Sequence, residues 1–167
     1  MDEIINRVAD SGIKTIDIEK WKPKGQRSVI DLETHLFQGL VLRENEFRSV
    51  LKEYDWNSYK DHFVSVYCSA DAIIPNWAYM LLASSLSGIA KKVVFGNKQA
   101  LETQLILDEI RSLDLSPYEN ERVIIKGCSD EAISEEAYLE LTMRLKPIVK
   151  SLMFGEPCSA VPVYKKK

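Results

Sequence analysis

The sequence predicts an α/β protein, a mainly parallel sheet flanked by helices and folded as a single domain over residues 1–167. Two observations lead there. From His62 to Tyr164, short β-branched or aromatic runs alternate with longer segments whose apolar residues recur every three to four positions. Such alternation favours parallel strands joined by right-handed helical crossovers, with helices on both faces. The second observation is size: 167 residues, 46% hydrophobic and 28% charged, suffice for one sizeable core and leave little room for disorder beyond the ends.

Asp2–Ala9 reads as a short helix, with Ile4, Ile5 and Val8 in one stripe and Gly12 as its stop. Lys14–Ile18 and Ser28–Leu32 are strand candidates on either side of a loop carrying Trp21, Pro23 and Gly25. With the helical turn Glu33–Gln38, they make the N-terminal third a source of edge strands or cover. Arg43–Tyr54 is a helix packed through Phe47, Val50, Leu51 and Tyr54. Asp55–Lys60 should cover the next strand, Phe63–Tyr67. Pro75–Leu86 is a helix, since proline suits a first turn that has no N–H partner to lose. It is apolar on most faces and should be covered on both sides.

Lys92–Phe95 is the next strand, Gln99–Leu113 a helix and Arg122–Lys126 a strand. Ser134 is placed to cap a long helix reaching Phe154 and bent at Pro147. Ala160–Tyr164 is an edge segment, because Pro162 lacks the N–H that a central strand needs. No internal repeat, linker or low-complexity stretch is evident.

The formal net charge of -3 supplies no basic field for nucleic acid. Met1–Gly12 has no apolar run of the leader type, and Ala78–Ala90 is shorter than the roughly 20 residues of a spanning helix. A cytoplasmic protein without a nucleic-acid or membrane partner is therefore expected. Its 3 cysteines are then reduced thiols rather than a disulfide scaffold.

All three precede serine: Cys68–Ser69, Cys128–Ser129 and Cys158–Ser159. The first two follow expected strands, whose carboxyl ends share one edge in a single parallel sheet. Thiolates are soft ligands, so three that converge would hold zinc, with Asp71, Glu156 or His62 as a candidate fourth ligand. An iron–sulfur cluster is the alternative, although no compact C-x-x-C pair is present. The metal-free reading makes them three buried core thiols. In the metal reading Asp71 positions water or completes the shell; a third reading makes Cys68 a nucleophile near a helix start, with His62 or His35 as a distant base. Asp71 also suits a helix cap. Trp77 and Tyr79 suit packing.

The segments CSADAIIPNWAYMLLASSL, VVFG, RVIIKGCS and MFGEPCSAVPVYKK, joined to GQRSVIDLETHLFQGLVLRENEFR, resemble a family of small uncharacterised bacterial proteins found mainly in Bacteroidota. The resemblance covers nearly the full length. It implies a small cytoplasmic protein, draws attention to the three cysteines and assigns no activity. The leading function is then a metal-binding α/β protein with a bound water or open metal position and an unknown small-molecule substrate. The alternatives are a homodimer formed through the 75–88 helix or the 43–54 helix, and a thiol enzyme centred on Cys68.

Overall fold

A computed structural model describes residues 12–126, 133–156 and 159–167. The expected mixed α/β class holds. The strands are β1 (Ile13–Ile16), β2 (Arg27–Asp31), β3 (Phe63–Tyr67), β4 (Lys92–Phe95), β5 (Arg122–Ile125), β6 (Ser151–Phe154) and β7 (Val161–Lys165). The helices are α1 (Glu44–Glu53), α2 (Asn76–Leu86), α3 (Lys98–Ser112) and α4 (Glu135–Leu145). The strands sort into two sheets: β2-β3-β4, all parallel, and β1-β5-β6, parallel, with β7 antiparallel along β6. The chain divides into two compact units, residues 24–104 and residues 1–23 with 105–167; the division falls within α3.

In the 24–104 unit, β3 is the central strand and Phe63–Val66 are all buried. Val64 and Val66 join Ile30 of β2, Phe47 of α1, and Ala78, Leu82 and Leu86 of α2 in one core. Each fully buried aliphatic or aromatic side chain of this kind stabilises the fold by about 1.5–3 kcal/mol. The helix α2 is buried only along the Ala78, Leu82, Leu86 stripe, and Met80 is 70% exposed. Pro75 stands at its N-cap position.

In the other unit, β5 is central. Val123 and Ile125 pack with Ile16 of β1, Ile106 and Ile110 of α3, and Ala137, Leu141 and Leu145 of α4. The expected long helix to Phe154 is two elements. It ends at Leu145, the N–H groups of Ile148 and Val149 turn back to the Leu145 carbonyl, and β6 begins at Ser151. Pro147 has no N–H to continue the helical ladder and its ring clashes with the preceding turn, so the helix stops before it and the chain turns into β6. Ser134 stands at the N-cap, yet its side chain makes no capping bond. β7 is the expected edge strand. The N-terminal helix expected over Asp2–Ala9 lies outside the described residues.

The two units are built on one plan. Phe63 and Arg122, Asn76 and Glu135, and Lys92 and Ser151 open corresponding elements, each pair 59 residues apart. At that same spacing the buried residues Phe47, Val64, Val66, Ala78, Leu82 and Leu86 match Ile106, Val123, Ile125, Ala137, Leu141 and Leu145.

Backbone details match too. The Asp61 N–H donates to Ile89 at 2.9 Å and the Asn120 N–H to Ile148 at 2.8 Å. Gly96 and Gly155 each donate to the central strand of their own unit, at 2.9 Å, through Val66 and Ile125. Tyr79 meets Phe95 edge-on at 5.3 Å, as Tyr138 meets Phe154 at 5.5 Å. The leading strands correspond at a spacing of 14, where Ile16–Glu19 reads IDIE and Ile30–Glu33 reads IDLE. The expectation of no internal repeat is therefore overturned. These core positions keep their apolar class, while others, such as Phe63 against Arg122 and Ser65 against Ile124, differ, which hides the duplication in the sequence.

Candidate functional site

The site is built where β2 ends, in the 24–104 unit. Asp31 is the last residue of β2 and the N-cap of the 3-10 turn Leu32–His35. Its Oδ1 accepts the N–H groups of Glu33 and Ser69, both at 3.0 Å. Ser69 follows β3, the neighbouring strand, and its hydroxyl donates to Glu33 Oε2 at 2.5 Å. The Asp31 carboxyl is pushed up by burial, but the hydrogen bonds from Ser69, from the Glu33 N–H and from the Tyr67 hydroxyl outweigh this and hold it below the ordinary carboxyl value. In turn the Asp31 charge raises the Tyr67 phenol, so Tyr67 stays a neutral donor.

Beside Asp31 lies a cleft of about 260 Å³, on the helix side of β2. Asp31, His35, Val50, Tyr54, Trp56 and Tyr59 line much of it. Tyr54 stacks on Tyr59 at 5.9 Å, and their hydroxyls are 2.9 Å apart. Burial and the Tyr54 hydroxyl push the Tyr59 phenol up. The Trp56 indole N–H donates to the Leu51 carbonyl at 2.8 Å, which satisfies its polar end and fixes the ring. His35 meets Phe47 edge-on at 5.6 Å, and burial lowers its pKa, so it is neutral at pH 7. Strand alternation puts the Asp31 side chain with its register partner Tyr67 on the sheet face opposite Ile30 and Val66, so Asp31 borders the cleft while its carboxylate is held away from it. Sequence reasoning took α1 and Asp55–Lys60 as packing and cover. The signal it passed over is three aromatic residues, Tyr54, Trp56 and Tyr59, within six positions.

The other unit differs at the matching positions. His35, Tyr54 and Trp56 correspond to Trp21, Leu113 and Leu115; Trp21 and Leu115 pack against that unit's core. Asp31 corresponds to Asp17, and Tyr67 to Lys126. There the carboxylate is met by cations, Lys126 at 3.8 Å and Lys20 at 3.5 Å.

The residues singled out in the sequence are placed as follows. Cys68 follows β3, half-buried and packed on the core of its unit. His62 precedes the same strand, and its Nδ1 is 2.9 Å from Ser28 Oγ. Strand rise puts the two ends roughly 20 Å apart, so His62 is not brought to Cys68. Asp71 is exposed and does not cap α2. Glu156 is half-buried in a turn where its carbonyl accepts the Ser159 N–H at 2.9 Å. Cys128 and Cys158 lie outside the described residues. The strands preceding Cys68 and Cys128 belong to different sheets, so the argument from one shared sheet edge does not apply. Among the described residues, no group of three His, Cys, Asp or Glu side chains could hold a metal ion, and no helix is long and apolar enough to cross a membrane.

A family described as "Protein of unknown function (DUF2480)" matches residues 2–166. No curated protein and no solved structure matches the chain.

Proposed function

We propose that this chain, which belongs to the DUF2480 family of proteins of unknown function, is a small-molecule-binding protein whose ligand occupies the cleft of the 24–104 unit. The observation that carries this reading is the cleft itself, about 260 Å³ at the carboxyl end of β2. The carboxyl ends of parallel strands are where open α/β sheets receive ligands, and a mostly apolar wall with a few fixed polar groups is what such sites present. The duplicated plan adds weight. The second unit holds the same scaffold together with leucines at two of the aromatic positions, so the scaffold does not require Tyr54 and Trp56. The cleft is slightly smaller than the roughly 300–1,000 Å³ typical of drug-sized ligands, which points to a compact molecule.

This reading is preferred to the thiol and metal readings. The histidine considered as a base or ligand beside Cys68 is bonded to Ser28 at the other end of β3. The zinc and iron–sulfur readings rest on Cys128 and Cys158, outside the described residues, and no geometry among the described residues supports them. The homodimer reading through α1 or α2 has the exposed Val50 and Met80 in its favour, one large apolar side chain on each helix among the described residues.

The test is a nuclear magnetic resonance screen of small aromatic and aliphatic fragments against the labelled protein, following the Trp56 indole N–H. Binders should shift that resonance, and Val50→Trp, which fills the cleft, should abolish the shift. Binders that leave Trp56 unmoved, or that bind the filled variant equally well, would overturn the reading.

A further inference from the structure

We propose that the cleft of the 24–104 unit takes a compact N-acylated amino acid, whose amide pairs with the open edge of β2 at Val29 while its apolar acyl group fills the space beside Val50, Tyr54 and Trp56. This rests on the small-molecule reading above and deepens it. Three observations converge on that ligand class.

The first is the open edge. The strands run in the order β2-β3-β4, so among the described residues β2 has a neighbouring strand on one side only. The Phe63 N–H donates to the Gln26 carbonyl at 2.8 Å, which fixes the main-chain groups that meet β3. The main-chain groups of successive residues turn to alternate sides of a strand. Those of Ser28 and Ile30 therefore turn to β3, and those of Arg27, Val29 and Asp31 to the open side. There the Asp31 carbonyl accepts the Thr34 hydroxyl at 3.1 Å. The Val29 N–H and C=O have no partner among the described residues, and Val29 is exposed. An edge of this kind binds an extended amide through main-chain hydrogen bonds.

The second is the path of the cleft. Val29, Ile30 and Asp31 all border it, although alternation turns the Ile30 side chain to the helix side and those of Val29 and Asp31 to the other face. A cleft that meets three consecutive residues of one strand runs along that strand's edge. The aromatic wall and the unpaired main chain of Val29 therefore belong to one cleft.

The third is register. A single ligand residue exchanges both its N–H and its C=O with one strand residue only in antiparallel pairing. With that residue opposite Val29, the group preceding it lies opposite Ile30 and falls on the helix side, where Val50, Tyr54 and Trp56 form the wall. In an N-acylated amino acid the preceding group is the acyl group. An apolar and aromatic wall suits an aliphatic or aromatic one, and the cleft of about 260 Å³ keeps it compact.

The test titrates phenylacetylglycine methylamide at pH 7, following the Val29 main-chain N–H and the Trp56 indole N–H by nuclear magnetic resonance. Both resonances should shift along one binding curve. The N-methylglycine analogue, which lacks the N–H that donates to the Val29 carbonyl, should bind about fivefold more weakly. Acetylglycine methylamide, which keeps the amides and lacks the ring, should bind at least tenfold more weakly. Val29→Pro removes an N–H that faces away from β3, a change that an edge strand tolerates. It should weaken phenylacetylglycine methylamide about fivefold, and the N-methylglycine analogue decides the matter if the variant does not fold. If the analogue or the variant binds as tightly as the parent pair, or if Trp56 shifts while Val29 does not, the amide inference falls and the cleft reading stands. If the amide moves neither resonance while another fragment moves Trp56, the amide assignment alone falls; if no fragment moves Trp56, the cleft reading falls with it.

Discussion

Asp61 and Asn120 hold the same left-handed backbone conformation, φ 62° and 57°, just before the central strand of each unit. Each lies two residues ahead of its strand, and each donates its N–H to the corresponding isoleucine, Ile89 or Ile148. Left-handed backbone costs an L-residue roughly 1–2 kcal/mol, least for Asn and Asp, whose short polar side chains tolerate it. The turn therefore constrains sequence even where the surrounding surface has diverged.

Asp61→Val and Asn120→Val should each destabilise the protein, by about 1–2 kcal/mol, because a β-branched side chain is poorly accommodated at positive φ. Asp61→Gly should be close to neutral. Urea denaturation of the three variants checks this. Equal stability of the valine and glycine variants at position 61 would show that the conformation imposes no such demand.

Ser65 is fully buried in β3 and its hydroxyl has no hydrogen-bond partner among the described residues. The matching residue of the other unit is Ile124, also fully buried. A buried hydroxyl without a hydrogen bond costs about 1–3 kcal/mol in desolvation, so removing it should be favourable. Ser65→Ala should raise stability by about 1 kcal/mol. A clear loss in the same denaturation measurement would mean that the hydroxyl has a partner that the structure does not describe.

His35 and Asp31 give pH signatures of the same sign in separate windows. Burial lowers the His35 pKa, so the unfolded chain binds the proton more readily. Stability should fall as pH drops from near the ordinary histidine value of about 6.5 to the lower folded value, and then level off. The Asp31 pKa is also lowered, through its hydrogen bonds against the opposing effect of burial. Its contribution is fully present above the unfolded carboxyl value of about 3.9 and is lost as pH falls through the folded value. Melting temperatures of wild type and His35→Phe from pH 7.5 to 5 test the first window. The variant should lose the dependence that His35 contributes; an unchanged profile would assign the decline to other groups.

Much of the secondary structure was legible because single segments carried it. Phe63–Tyr67 was read as β3 to the residue, the helices over 43–54 and 75–86 came within a residue at either end, and Pro162 marked the edge strand. The long final helix was misread because Ile148, Val149 and Leu152 continue a helical apolar spacing past Pro147, and periodicity alone does not see the strand that follows.

The duplication was not legible because it is written in buried positions far apart, Ala78 with Ala137 and Leu82 with Leu141, and in backbone turns at Asp61 and Asn120. The Cys-Ser pairs drew attention instead. At the 59-residue spacing, however, the sequence position matching Cys68 is Gly127, and Cys128 matches Ser69, so likeness of dipeptide is not equivalence of place. The cleft was missed for a related reason. Tyr54, Trp56 and Tyr59 belong to a helix end and a 3-10 turn, and only the fold brings them to one cleft with Ile30 and Leu82.

Gly96 closes β4 and tests how closely the strand-to-helix connection is packed. It has φ +121°, outside the region L-residues favour, and a Cβ there would come within 2.6 Å of the Ala100 Cβ at the start of α3. Its N–H donates to Val66 of the neighbouring strand at 2.9 Å, so the backbone does not rotate freely to relieve the clash. Asn97 Oδ1 accepts the Ala100 N–H at 3.0 Å and fixes the first turn of the helix from the other side. Gly96→Ala therefore combines backbone strain with overpacking and should cost about 2–4 kcal/mol. Gly96→Ala with Ala100→Gly relieves the overlap but not the strain, and should recover part of the loss while adding about 1 kcal/mol for the helix glycine. A double variant no more stable than the single one would place the whole cost in the backbone, and a single variant as stable as wild type would show that this connection can yield.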